Sequence, residues 1–189
     1  MSALVKTIWT WILNISASWS LIWEDYRSAK DRYEELRRIS EQRNGYNHIK
    51  TVPILYQLAR CYHHVGGADN FRHALIVYEN ALGVAEASSA ENKDFLIGQI
   101  ANEMGNWYWQ SGNHDMAGNL YQKSIEAFER SCGPVSLHLI SPLYARARVL
   151  KTQGRLEEAK NFEHQAHLIE QAYASTPHTY EYHGHYPRF

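Results

Sequence analysis

Residues 112–125 read GNHDMAGNLYQKSI. A glycine opens the stretch, and Ala117, Tyr121 and Ile125 follow at four-residue spacing, which puts them on one face of a helix. The same arrangement stands on either side. Upstream, Gly66 precedes Ala74, Tyr78, Ala81 and Leu82; downstream, Gly154 precedes Ala159, Phe162 and Ala166. Each is led by a second pattern: Leu55-Tyr56, Ala59 and Tyr62; Gly105 and Tyr108; Leu143-Tyr144, Ala147 and Leu150. The small residues Ala59, Gly105 and Ala147 recur at intervals of 46 and 42 residues, and the longer interval holds an insertion near Gly67-Ala68-Asp69-Asn70. One interval before Ala59 lies Ala17, with Ala29 and Tyr33 following it as Ala117 and Tyr121 follow Gly105. Four related units result.

Each unit predicts a pair of helices. A small residue in the first helix and an alanine in the second let the two cross closely, and the ring four residues on fills the space beside the crossing. The intervening glycine suits the left-handed backbone that ends a helix. A single pair leaves more apolar surface than it can bury, so neighbours must stack. The five prolines lie outside the strongest periodic stretches, and no run of alternating β-branched residues suggests a strand.

These residues resemble the tetratricopeptide repeat family, in the roughly 42-residue variety of kinesin light chains. Gly112 to Glu129 is similar to the family's second helix, Cys132-Gly133-Pro134 to its inter-repeat loop, and Gln153 to Ala159 to its turn. The resemblance covers Leu55–Glu170 well and Leu13–Ile39 weakly. It implies an all-α fold: a right-handed superhelix, or α-solenoid, of about four helix pairs. The expected organisation is a tryptophan-rich helix at 1–24 (an anchor, or the first helix of repeat one), a superhelical domain at 25–173, and an extended arm rich in aromatics and histidine at 174–189. The sequence departs from the family in that apolar first helix, where a solubilising cap is expected, in the inserted turn, and in the tail.

The resemblance also implies a concave groove lined by the first helices. On the helix period, Tyr56, Arg60, His63 and His64 share one exposed face; Asn102, Asn106, Trp109 and Gln110 share the next; Tyr144, Arg148, Lys151 and Thr152 share the third. Arg60, Asn106 and Arg148 are equivalent positions, and such a row could hold a peptide backbone or a carboxylate by charge-assisted hydrogen bonds. The alternative is an ordinary solvated face. The lysine- and asparagine-based clamp of chaperone-docking members is not found at the matching positions.

Composition narrows the function further. Nineteen basic against 20 acidic residues leave a net charge of −1, without the basic excess of a nucleic-acid binder. Cys61 and Cys132 make neither a disulfide framework nor a zinc site and read as reduced thiols. Eleven histidines raise metal chemistry, yet there is no HExxH pattern. Glu163, His164 and His167 read as decoration of a helix face, and His178, His183 and His185 as part of a tail docked on a partner. No nucleophile elbow, phosphate loop or dinucleotide fingerprint occurs. No catalytic residue, cofactor or metal is therefore expected.

The remaining signal is WTWILNISASWSLIW, residues 9–23, with four of six tryptophans and no charge. The uncharged run from Thr7 to Trp23 would extend about 25 Å, short of a bilayer core of about 30 Å. It matches neither a secretory signal nor an arginine-rich presequence. On a helical wheel Thr7, Thr10, Asn14, Ala17 and Ser18 form a narrow small or polar stripe, expected to pack on the second helix at Ala29 and Tyr33. Trp9, Trp19 and Trp23 lie opposite with Ile8, Ile12 and Ile15, and Trp11 lies at the edge, forming a face for a partner or membrane. The expected function is a non-catalytic scaffold, an accessory subunit or assembly factor of a larger membrane-associated complex. The mitochondrial inner membrane is the expected location and the cytoplasm the alternative. Expected partners are other subunits or peptide segments, with membrane contact through the first helix and no nucleic acid. The alternative function is a soluble adaptor that binds peptides reversibly in the groove.

Overall fold

The computed structural model describes residues 3–175, with side chains from Thr7 onward. Eight α-helices follow one another: α1 (Ala3–Ile22), α2 (Tyr26–Asn44), α3 (Val52–Val65), α4 (Ala68–Ala87), α5 (Lys93–Gln110), α6 (His114–Cys132), α7 (Ile140–Thr152) and α8 (Leu156–Ser175). Short 3-10 turns at Ile49–Thr51 and Leu137–Leu139 lead into α3 and α7. Each helix packs on the next in sequence, and α3 also touches α5 while α5 touches α7. The result is an α-solenoid of four helix pairs.

The repeat residues mark the crossings. Ala17, Ala59 and Ala147 are fully buried in the first helices, and Gly105 is buried with them; Ala29, Ala74, Ala117 and Ala159 are fully buried in the second. Beside them Tyr33, Tyr78 and Tyr121 fill the interior, with Phe162 half-buried in the last pair. A Cβ added at Gly105 would come within 2.6 Å of the Tyr121 ring, so the third pair crosses closer than alanine allows.

Three hairpins close alike. The N–H groups of Asp25, Asn113 and Arg155 donate to the carbonyls of Ser20, Tyr108 and Leu150 at 2.8, 2.9 and 3.0 Å. The residue before each has a positive φ: Gly112 at 82°, Gly154 at 74°, and in the first hairpin Glu24 at 57°. Asp25 and Asn113 then cap α2 and α6 by accepting from the N–H groups of Ser28 and Met116. The second hairpin differs because it absorbs the insertion. Residues 67–70 do not form an extra loop there. Gly66 and Gly67 turn the chain, and α4 starts six residues before Ala74, whereas α2, α6 and α8 start three before their alanines. Continuing the helix pairs backbone groups internally, which a longer loop would leave to solvent.

Helix α1 packs on α2 as the first helix of the first pair. Its inner stripe is rotated from the expected one. Ala17 and Ser20 are buried and Thr10, Asn14 and Leu21 partly so, whereas Thr7 and Ser18 are exposed. The reason is apolar: Leu13 packs against the main core beside Leu21, and a stripe centred on Asn14 would turn Leu13 toward water. The expected arm at 174–189 overlaps α8 at its first two residues; residues 176–189, including His178, His183 and His185, lie outside the described residues.

Candidate functional site

Two surface features draw on the residues singled out in the sequence. The first is a cleft of about 410 Å³ between the first helices. Helix α3 contributes Arg60, His63 and His64, α5 contributes Glu103, Asn106, Trp109 and Gln110, α7 contributes Arg148, and Tyr78 of α4 lies among them. Arg60, His63, Asn106, Trp109 and Arg148 are thus brought together by the stacking of three helices.

The cleft is internally braced. The Arg148 guanidinium carbon sits 4.3 Å from the centre of the Trp109 ring. Arg148 also donates to the Tyr121 hydroxyl at 3.4 Å, and that hydroxyl donates to Asn106 Oδ1 at 2.9 Å. Arg60 donates to Gln57 at 3.1 Å and lies 5.8 Å from the Tyr56 ring centre. His64 stacks on Tyr26 at 4.2 Å, and burial, then His63, holds its imidazole below the ordinary value. The Tyr78 hydroxyl is buried without a hydrogen-bond partner. Burial, with Glu103 next, pushes its pKa upward, so it stands as a neutral donor. Two guanidiniums face one carboxylate in this cleft.

Five groove candidates stand outside its lining, among them Thr152, which donates to the Val149 carbonyl at 2.7 Å. Tyr56 is half-buried near Tyr78, its hydroxyl pushed up to about 12 by burial and by Glu103. Asn102 donates to Ser141 at 3.4 Å, and its Oδ1 is buried without a partner. Tyr144 donates to Glu170 at 3.0 Å and Lys151 to Glu163 at 2.5 Å, so both reach toward α8. Tyr78 and Glu103 were not foreseen. Tyr78 reads in sequence as a packing ring, and only the stacking of the helices shows that it also lines the cleft.

The second feature is the outer face of α1. Trp9, Trp11, Trp19 and Trp23 are 53%, 67%, 56% and 75% exposed, and Ile8, Ile12, Ile15 and Ile22 are exposed with them. A cleft of about 480 Å³ runs along Trp11, Ile12, Ile15, Trp19 and Trp23 and is closed by Ser16, Ser20, Asp25 and Arg32. Arg32 donates to the Ser20 hydroxyl. Among the described residues, no helix is long and apolar enough to cross a membrane. Also among them, no group of three or more His, Cys, Asp or Glu is arranged to hold a metal; His164 and His167 are exposed on α8, where His167 meets Gln171 at 2.9 Å.

Residues 96–167, covering most of α5 through much of α8, match the tetratricopeptide repeat family. Over these residues the chain carries tetratricopeptide repeats. BtubC (BKLC) from P. vanneervenii has the same fold: the TM-score is 0.74 at 19% identity, over 88% of this chain and 65% of that one. The tetratricopeptide solenoid described here thus spans just under two thirds of BtubC. Nearly identical TPR-like repeats assigned to a kinesin light chain of Podosopora anserina align over 87% of this chain and 96% of theirs, at 13% identity and a TM-score of 0.42. The apo quorum sensor NprR of B. thuringiensis aligns over 80% of this chain and 51% of its own, at 18% identity and 0.42. No curated protein sequence matches the chain. Tetratricopeptide repeats are surfaces for protein–protein interaction.

Proposed function

We propose that the chain is a non-catalytic scaffold, an accessory subunit or assembly factor of a larger, membrane-associated complex. The observation that carries this reading is the exposure of four tryptophans and four isoleucines on one side of α1. A contiguous apolar surface of that kind is costly in water and is characteristic of a partner or membrane contact. Tryptophan is also the residue most enriched at interface hot spots and at the membrane boundary. The test is the size of the full chain by light scattering without detergent, beside the triple variant Trp9→Gln, Trp19→Gln, Trp23→Gln, together with flotation on anionic vesicles. Self-association or vesicle binding by the wild type, abolished in the variant, supports the reading. A wild-type monomer as soluble as the variant, with no vesicle binding, removes its support.

The second reading is a soluble adaptor that takes a peptide segment in the α3–α5–α7 cleft. The convergence of Arg60 and Arg148 on one cleft favours it, because two guanidiniums can hold a carboxylate or backbone carbonyl by charge-assisted hydrogen bonds. A library of acidic and neutral peptides tested against wild type and Arg60→Ala/Arg148→Ala decides it. Binding lost in the double variant supports the adaptor, and peptides that bind neither protein exclude it.

A further inference from the structure

The outer face of α1 has counterparts in the three later repeats. The first helices end in register, at Ile22, Val65, Gln110 and Thr152, and their small residues Ala17, Ala59, Gly105 and Ala147 are all buried at the crossings. On that register Trp9 corresponds to Thr51, Ile97 and Leu139, which are 3%, 5% and 1% exposed. Ile12 corresponds to Ile54, Ile100 and Pro142, of which Ile54 is partly buried and the other two buried. Trp19 corresponds to Cys61 and Val149, both fully buried, and to the half-buried Trp107.

In the later repeats these positions lie against the second helix of the preceding pair. The Thr51 hydroxyl is 2.8 Å from that of Ser40 on α2. Leu139 clusters with Ile125 and Phe128 of α6. Val149 faces Gly118 of α6, where an added Cβ would stand 3.1 Å from its methyl. Trp9, Ile12 and Trp19 therefore stand where α3, α5 and α7 seat on α2, α4 and α6, and no helix among the described residues covers them.

Among its described residues, another copy of the chain offers no uncovered second helix. Its α2, α4 and α6 are already covered. The outer side of α8, where the solenoid would continue, carries the Lys160–Glu157 ion pair with exposed Asn161, His164 and His167 and is a polar end cap. We propose that the outer face of α1 docks an amphipathic helix of a different protein, seated where the second helix of a preceding repeat would stand and extending the solenoid by one layer. This rests on the scaffold reading and deepens it. Judged by how Ser40 meets Thr51 and Gly118 meets Val149, the docked helix presents small and aliphatic residues at three- and four-residue spacing, with a small residue opposite Trp19. Continuity with the stacking interface favours a helix over lipid, which has no register.

The test places p-benzoylphenylalanine at position 9, 12 or 19 of the full chain, with position 76 on exposed α4 as control, in the cells that make the protein. After irradiation the adducts are mapped by mass spectrometry. The expected result is crosslinking from all three positions to one other protein, at sites three or four residues apart within a single helix. In addition, Trp9→Ala/Trp19→Ala, with its helical circular dichroism retained, should reduce the assembly-bound fraction at least about tenfold. Adducts with lipid, adducts with a second copy, or scattered adducts no richer than the control each overturn the proposal. Native sizing separates the two failures. A chain found in a large assembly but crosslinked to lipid loses only this inference, whereas a chain found only as a monomer loses the scaffold reading as well.

Discussion

Arg148 of α7 lies over Trp109 of α5, its guanidinium carbon 4.3 Å from the ring centre, and so ties the third and fourth first helices together across the cleft. The contact is surface-accessible and backed by only one long hydrogen bond, to Tyr121. Arg148→Ala should therefore lower stability by about 0.5–1 kcal/mol, the range for an exposed cation–π pair, and Arg148→Lys by less. Urea titration followed by circular dichroism measures it. A loss above about 2 kcal/mol would mean that Arg148 holds the helices together by more than this pair.

Glu24 takes the left-handed position that glycine takes in two other hairpins, at a φ of 57°. A side chain there costs about 1–2 kcal/mol, partly offset by the greater freedom glycine has in the unfolded chain. Glu24→Gly should raise stability by about 0.5–1 kcal/mol, read as a higher denaturation midpoint at unchanged slope. Unchanged or lower stability would show that Glu24 makes a compensating contact.

Gly105→Ala should act the other way. Its new methyl would meet Tyr121 ring atoms at 2.6 and 2.8 Å, and that ring is fully buried with nowhere to move. Overpacking of this kind costs about 1–3 kcal/mol, more than the roughly 1 kcal/mol that alanine gains over glycine in a helix. Thermal melting of the variant beside Gly83→Ala, where an added Cβ meets nothing within 4 Å, provides the control. Gly83→Ala should melt higher and Gly105→Ala lower.

Burial lowers the affinity of His64 and His138 for protons in the folded protein. As pH falls through the ordinary imidazole value near 6.5, the unfolded chain takes up protons first, so stability drops with acid. This contribution is present above that value and is lost below it. Stability should decline between pH 7.5 and 5.5, before the carboxylates titrate, and the decline should be shallower in His64→Phe/His138→Phe. An identical pH slope in the variant would refute the assignment.

Cys61 is fully buried, and burial pushes its thiol up to about 12, while Cys132 is exposed. A disulfide-exchange reagent at pH 8 should modify one thiol in the native protein and two in denaturant. Fast reaction of both thiols in the native protein would show that the α2–α3–α4 core opens readily.

The repeat was legible because the fold is written in steric terms at short range. Ala17, Ala59, Gly105 and Ala147 mark where helices must cross closely, and four-residue spacing to the partner rings follows from the helix period alone. The exposed tryptophan face was legible for the same reason. The groove was legible in part. Seven of its twelve expected residues meet in one cleft, because Arg60, Asn106 and Arg148 occupy equivalent positions on helices that stack in register.

What the tertiary structure alone decided depends on contacts between helices distant in sequence. Glu163 and Glu170 draw Lys151 and Tyr144 toward α8, and nothing in the α7 sequence foretells those pairings. Tyr78 is a packing ring by periodicity; it lines the cleft only because α4 packs against α3 and α5. Leu13 turned α1 to satisfy the core, shifting its polar stripe. Local spacing specifies which residues share a helix face. The angle and depth at which faces meet is set by the volume of side chains from several helices at once, and that determines which polar groups converge.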